Sequence, residues 1–145
     1  ILTDVKHLLS CNPLWPAYQA PSSKEPVNGE PQASAWIAHE GGLVQIGHAG
    51  TGFCFDNETP RHTVYLQPFE LASRLVTNAE YLAFVNAGGY ANPALWLAEG
   101  WDWICAHRME SPLYWRRAEQ GGEWQEFTLQ GPQGLRPEQP ITHLS

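Results

Sequence analysis

Basic residues are scarce in this sequence. Eight Lys and Arg stand against fifteen Asp and Glu, a formal net charge of −7 over 145 residues. They gather no further than pairs such as Arg116–Arg117, so no surface is predicted to track a phosphate backbone and a nucleic-acid partner is excluded. Long apolar runs are missing too. No stretch approaches the roughly 18 to 20 residues of a membrane-spanning helix, and the opening ILTDVKHLLS has neither the cationic start nor the small-residue cleavage site of a secretory leader. Cysteine is sparse: Cys11, Cys54 and Cys105 are odd in number, far apart and without a CxxC. That pattern predicts reduced thiols and a cytoplasmic location rather than a disulfide framework. Cys54 and His62 could supply two zinc ligands, but the second pair that a closed site needs is absent.

What is present is apolar and aromatic. Hydrophobic residues make up 43% of the chain and Phe, Trp and Tyr 12%, enough for a core and too much for wholesale disorder. The length suits one domain or part of one. Leu2, Val5, Leu8 and Leu9 recur at helical spacing over Ile1–Ser10 until Asn12-Pro13 stops the run. No capping sequence precedes that helix, so it reads as cut in the middle and the chain as part of a longer protein. Residues 12–34 carry five prolines among Ser, Asn, Gly and Gln and read as an extended linker, with Trp15 and Tyr18 docking on a neighbouring surface. The folded part is expected from about Trp36. Gly41-Gly42 turns into a strand over Leu43–Gly47, and Thr63–Ala72 alternates as a second, with Pro68 marking an edge or a break. Thr77-Asn78-Ala79-Glu80 is a capping-box pattern opening a helix over Thr77–Ala87, which Gly88-Gly89 closes. Asn92-Pro93 predicts another helix carrying Leu95, Trp96 and Leu97, and Trp101 and Trp103 a short third piece. Residues 113–117 and 123–127 read as a hairpin about Gly121-Gly122. Gly131–Pro140 is expected to be a loop leading into the start of another element at Ile141–Ser145. Short strands, short helices and tryptophan-rich loops predict an irregular α+β fold.

Several residue groups suggest chemistry, and each has a plainer use. Asp4 and His7, three apart on one helical face, could touch one metal or form a solvated hydrogen bond. The stretch FDNETPRH gathers Asp56, Asn57, Glu58, Arg61 and His62 within seven positions. They could be catalytic. Alternatively, Asp56 or Asn57 caps the turn through backbone N–H groups and Glu58 pairs with Arg61 or His62 across it. Trp96, Trp101 and Trp103 could line an aromatic site for a cation or form core under loops. His39, His48 and His107 have no partner at meaningful spacing, and His143 sits near the end. These residues alone name no reaction.

Taken together the segments are more specific. GGLVQIGH, FDNETPRHTVYLQPFELASRLVTNAEYLAFVNAGGY and PALWLAEGWDWI resemble the formylglycine-generating-enzyme/sulfatase-modifying-factor domain. They are most similar to the subfamily fused to an iron-binding DinB-like bundle, the sulfoxide synthases of ergothioneine biosynthesis (hercynine oxygenases). SPLYW (111–115), LRPEQPITHLS (135–145) and ILTDVKHLLSCNPLWPAY (1–18) resemble the same subfamily. The resemblance implies residues 1–11 as the end of the bundle, 12–34 as linker and 35–145 as the first part of a C-type-lectin-like domain, incomplete here. It also implies a full-length protein that uses Fe(II) and O2 to join hercynine to the thiol of cysteine or γ-glutamylcysteine. Three imidazoles with open positions suit such an iron. In the family two of them lie in an HxxxHxE motif just before the position of Ile1 and the third further upstream. The tyrosine and the Asn-Trp-Asp segment that serve the substrate lie beyond Ser145. The resemblance therefore assigns no catalytic, cofactor-binding or metal residue to these 145 positions, and no iron is expected in them. It makes Asp56–His62 a turn into an early strand. The partners implied are small molecules and the remaining parts of the same polypeptide, with no nucleic acid and no membrane. A formylglycine generator acting on sulfatases shares the fold, and a non-catalytic C-type-lectin-like binding module is the third alternative.

Overall fold

The computed structural model describes residues 1–20, 33–118 and 122–144. Most of the expected linker and the Gly121 half of the hairpin turn lie outside the described residues. The chain divides into two compact units, one drawn from Ile1–Pro31 and Leu75–Ser145 and the other from Gln32–Arg74.

The second unit is a two-stranded antiparallel ribbon interrupted once. β1 (Trp36–His39) pairs with β4 (Phe69–Ala72), and β2 (Gly42–Ile46) with β3 (His62–Leu66). Carrying the register on from His39↔Phe69 sets Glu40 opposite Pro68 and Gly41 opposite Gln67, and then meets Gly42↔Leu66. One register thus runs through both ladders. The interruption falls where Pro68 has no N–H to give. On the facing strand Gly41, opposite Gln67, has φ +76, and a Cβ there would collide with the Leu66 carbonyl and the Gln67–Pro68 peptide. Of the two readings of Pro68, an edge or a break, the break is present, and the two expected strands sit within one residue of their predicted bounds.

The first unit mixes helices with a small sheet. α1 (Leu2–Ser10) matches its apolar spacing. α2 (Asn78–Asn86) starts at the capping box: Thr77 Oγ1 accepts from Glu80 N–H at 3.3 Å, and Glu80 Oε2 accepts from Thr77 N–H at 2.9 Å. These bonds occupy two of the donors a helix start leaves free. Gly88, at φ 78, takes the left-handed conformation just past its end.

The next stretch departs from expectation. Asn92-Pro93 opens only one 3₁₀ turn, Pro93–Leu95, with Asn92 Oδ1 accepting from Ala94 N–H. Trp96 then turns extended, and its indole N–H donates to the Gly89 carbonyl at 2.8 Å while its ring packs on Phe84 and Tyr90. That anchor ends the turn. Trp101 and Trp103 belong instead to α3 (Ala98–His107), a full ten-residue helix.

β5 (Trp115–Arg117) and β6 (Trp124–Thr128) pair antiparallel as the hairpin reading requires. The loop expected over Gly131–Pro140 begins as a strand, β7 (Gly131–Gly134), paired to β6. Its GPQG sequence carries no apolar alternation, and Pro132 is tolerated because the strand lies at the sheet edge. Further on, the same segment is fixed to the start of α2. Asn78 N–H donates to Gln139 O, Ala79 N–H to Pro137 O, and the buried Asn78 side chain to Arg136 O at 2.9 Å.

The core packs Trp15 (8% exposed), Tyr114 and Phe127 (0%) together, with Leu9 of α1 against them. Complete burial of one such ring is worth about 1.5–3 kcal/mol of transfer free energy. Trp15 docks as expected. Its indole N–H donates to Ser10 O at 2.9 Å and the Arg116 guanidinium stacks 3.0 Å above its ring. Tyr18 keeps its ring exposed and is held through the backbone, its N–H donating to Leu129 O.

Candidate functional site

The polar stretch that drew attention in the sequence forms a 3₁₀ turn, Asp56–Glu58, ahead of β3. Glu58 folds back, and its Oε2 accepts the Phe55 N–H at 2.8 Å. Asp56 Oδ1 accepts from Asn57 N–H at 3.0 Å and the Asp56 carbonyl from the Thr59 hydroxyl. His62 Nδ1 lies 3.0 Å from Pro60 O. These carboxylates answer backbone donors of their own turn, and Glu58 reaches Phe55 rather than Arg61 or His62.

The turn is clasped to the end of β2. His48 N–H donates to Glu58 O at 2.8 Å, and Gly47, at φ +107, leaves no room for a Cβ beside that same carbonyl. A pocket of about 530 Å³ opens here between Gly47, His48, Asn57, Glu58 and His62. His48 Nε2 is buried beside it without a hydrogen-bond partner. Of the polar groups here, the Glu58 carboxylate, the Thr59 hydroxyl and His62 Nδ1 are engaged in holding the loop.

A second constellation sits in the first unit, where α1 meets the hairpin and the final segment. The Lys6 ammonium donates to His143 Nε2 at 3.1 Å, lies 4.3 Å above the Tyr114 ring and 3.9 Å from Glu126 Oε1. Burial draws the Lys6 pKa below its usual value, with Glu126 opposing. His143 is also held below its ordinary range, by burial first and by the neighbouring ammonium second. The Tyr114 hydroxyl is 3.4 Å from His7 Nδ1, and its pKa is raised, chiefly by burial. Asp4 and His7 share no contact among those described.

The remaining sequence candidates are dispersed. His39 stacks on Phe69 across the ribbon. His107 stacks on Trp103, which is 41% exposed. Ile104 is the inward residue of α3 and turns its neighbour outward, so Trp103 is neither core nor part of an aromatic cage. Trp96 serves as core. Cys54 and His62 share no contact among those described. The sequence reading missed Trp115, which is buried against Tyr81 and Trp124. A cleft of about 940 Å³ lined by Tyr90, Trp115, Trp124 and Arg108 lies over it.

Among the described residues no three or more His, Cys, Asp or Glu side chains converge as a metal site would need. The donors present do not fit an Fe(II) centre: His7 and His143 are occupied by Tyr114 and Lys6, and beside His48 the Glu58 carboxylate is taken by Phe55 N–H and His62 Nδ1 lies against Pro60 O.

Comparison with known proteins decides the lineage. Residues 21–145 match the profile of the sulfatase-modifying factor enzyme 1-like domain. The chain belongs to that family. Its mixed helices and small antiparallel sheets are accordingly the α+β, C-type-lectin-like fold of sulfatase-modifying factor domains. The sulfatase-modifying factor-like chain is 30% identical over 103 residues to a hercynine oxygenase of Mycolicibacterium thermoresistibile, an alignment covering 71% of this chain and 22% of that enzyme. To the hercynine oxygenase of Mycolicibacterium smegmatis it is 41% identical over 64 residues, 41% of this chain and 14% of the enzyme. A formylglycine-generating enzyme of Streptomyces coelicolor is 33% identical over 126 residues, 72% of this chain and 37% of that protein. The chain thus spans about a fifth of the first relative's length. No described helix is long and apolar enough to cross a membrane.

Proposed function

We propose that this chain is part of the sulfatase-modifying-factor-like domain of a hercynine oxygenase. That protein would be a cytoplasmic, iron(II)- and O2-dependent oxidoreductase joining hercynine to the thiol of cysteine or γ-glutamylcysteine. The observation that carries the reading is the likeness to hercynine oxygenases, 30% over 103 residues in one and 41% over 64 in another. Iron, when bound by the full-length protein, would activate O2. In this reading its ligands are histidines outside these 145 residues. The part played by these residues is architectural: the Phe55–His62 turn directs β3, and the capping box with Asn78 holds the start of α2 against the 136–139 segment. We further propose residues 1–11 as the end of a DinB-like bundle, 12–34 as linker and 35–145 as the first part of the domain.

The likeness to a formylglycine-generating enzyme, at 33% over 126 residues, favours the second reading, a sulfatase-modifying enzyme. One experiment separates the two. The full-length protein, loaded anaerobically with Fe(II), is given hercynine and a cysteinyl thiol, or a cysteine-containing sulfatase peptide, under O2. Oxygen uptake with a sulfoxide product in the first mixture is expected. Conversion of the peptide cysteine to an aldehyde, with no sulfoxide from hercynine, would overturn the assignment. The 145-residue chain alone should retain no stoichiometric iron after desalting.

A further inference from the structure

Cys11 is the C-cap of α1, one helical turn beyond His7. The i, i+4 spacing puts the two side chains on one face, and His7 Nε2 lies 3.9 Å from Cys11 Sγ, within reach of a sulfur hydrogen bond. The other ring nitrogen, Nδ1, faces the Tyr114 hydroxyl at 3.4 Å. When Nδ1–H donates to that oxygen, the Nε2 lone pair points at the thiol. A nucleophile, a base within reach and a third group orienting the base make up the arrangement that activates side-chain nucleophiles. Cys11 is exposed, so a reagent can approach the sulfur.

From these contacts we infer that Cys11 is a thiol-modification site: its sulfur forms mixed disulfides with small-molecule disulfides, with His7 as base and Tyr114 as the positioning residue. The Cys11 Sγ–H proton passes to His7 Nε2, and the thiolate attacks one sulfur of the small disulfide. A new S–S bond forms on Cys11 as the old one breaks, and the departing thiolate takes the proton back from the imidazolium. One disulfide is consumed and one made, so no further oxidant is needed. The helix end matters to the balance. A lone thiolate at a helix C-terminus is opposed by the macrodipole, whereas an imidazolium there is favoured. The base and the thiol therefore act as a unit, and the sulfur alone would gain nothing from its position.

Cys105 supplies the control inside the same chain, being exposed with no imidazole hydrogen-bonded to it among the described residues. The full-length protein is treated with oxidised glutathione, and adducts on Cys11, Cys54 and Cys105 are followed by peptide mass mapping over time. Cys11 is expected to acquire glutathione on the order of tenfold faster than Cys105. His7→Asn should bring Cys11 down to the Cys105 rate, and Tyr114→Phe should lower it part of the way, with Cys105 unchanged in both. Equal rates at Cys11 and Cys105 in the unaltered chain would overturn the inference. So would a Cys11 advantage that survives His7→Asn, because exposure alone would then explain it.

Discussion

Asn78 is 2% exposed, the only polar residue in the buried class among those described. Its amide donates to Arg136 O, and its backbone N–H to Gln139 O, so one residue fastens two remote parts of the first unit. Replacing it by Ala removes the donor and leaves a carbonyl unpaired, which costs about 1–3 kcal/mol. Asn78→Asp cannot donate either and should be at least as damaging; denaturant titration of both variants reads the loss. His143 carries a pH dependence. Its folded pKa lies below the ordinary 6.5, through burial and then the Lys6 ammonium 3.1 Å from Nε2. Protonation therefore costs the folded chain more than the unfolded one. Stability from this group is present above about pH 6.5 and is lost as pH falls through the depressed value. Melting temperatures between about pH 7.5 and 5.5 should fall on acidification, and His143→Gln should flatten that slope.

Legibility at the scale of elements followed the locality of the signal. The Thr77–Glu80 box is a four-residue pattern with its own chemistry, and α2 begins where it says. Alternating apolar residues marked β2, β3 and β4, Gly121-Gly122 the hairpin, and Pro68 the interruption, whereas β1 was not read as a strand. β7 was not legible, because GPQG owes its strand to β6 beside it and to nothing in its own side chains. The split between the 93–95 turn and α3 was hidden for a related reason, since it depends on Trp96 reaching back to Gly89. Among the site candidates, the structural use of Asp56–Glu58 was foreseeable from turn chemistry, but the acceptor role of Glu58 toward Phe55 needs the folded turn. The Lys6–His143 pairing, 137 residues apart in sequence, could not have been found by spacing.

Across the whole molecule, burial is uneven. Among the described residues, the buried ones, Trp15, Asn78, Gly89, Tyr90, Ile104, Pro112, Tyr114, Trp115, Phe127 and Gly131, all belong to the first unit. The ribbon of the second unit leaves Trp36, Leu43, Tyr65 and Leu71 exposed. Local opening costs least where few apolar contacts must break. Amide hydrogen exchange of the 145-residue chain should therefore protect the amides of Trp115–Arg117 and Trp124–Thr128 longest and release those of β1–β4 first; equal protection in the two units would refute this. The ribbon also constrains how such chains can change length. Because β1–β4 and β2–β3 share one register across Pro68, a single residue gained or lost at 40–41 would turn every side chain beyond it to the opposite face. Insertions and deletions in this stretch can persist only as matched changes on both strands, so Glu40-Gly41 and Gln67-Pro68 must vary together in length.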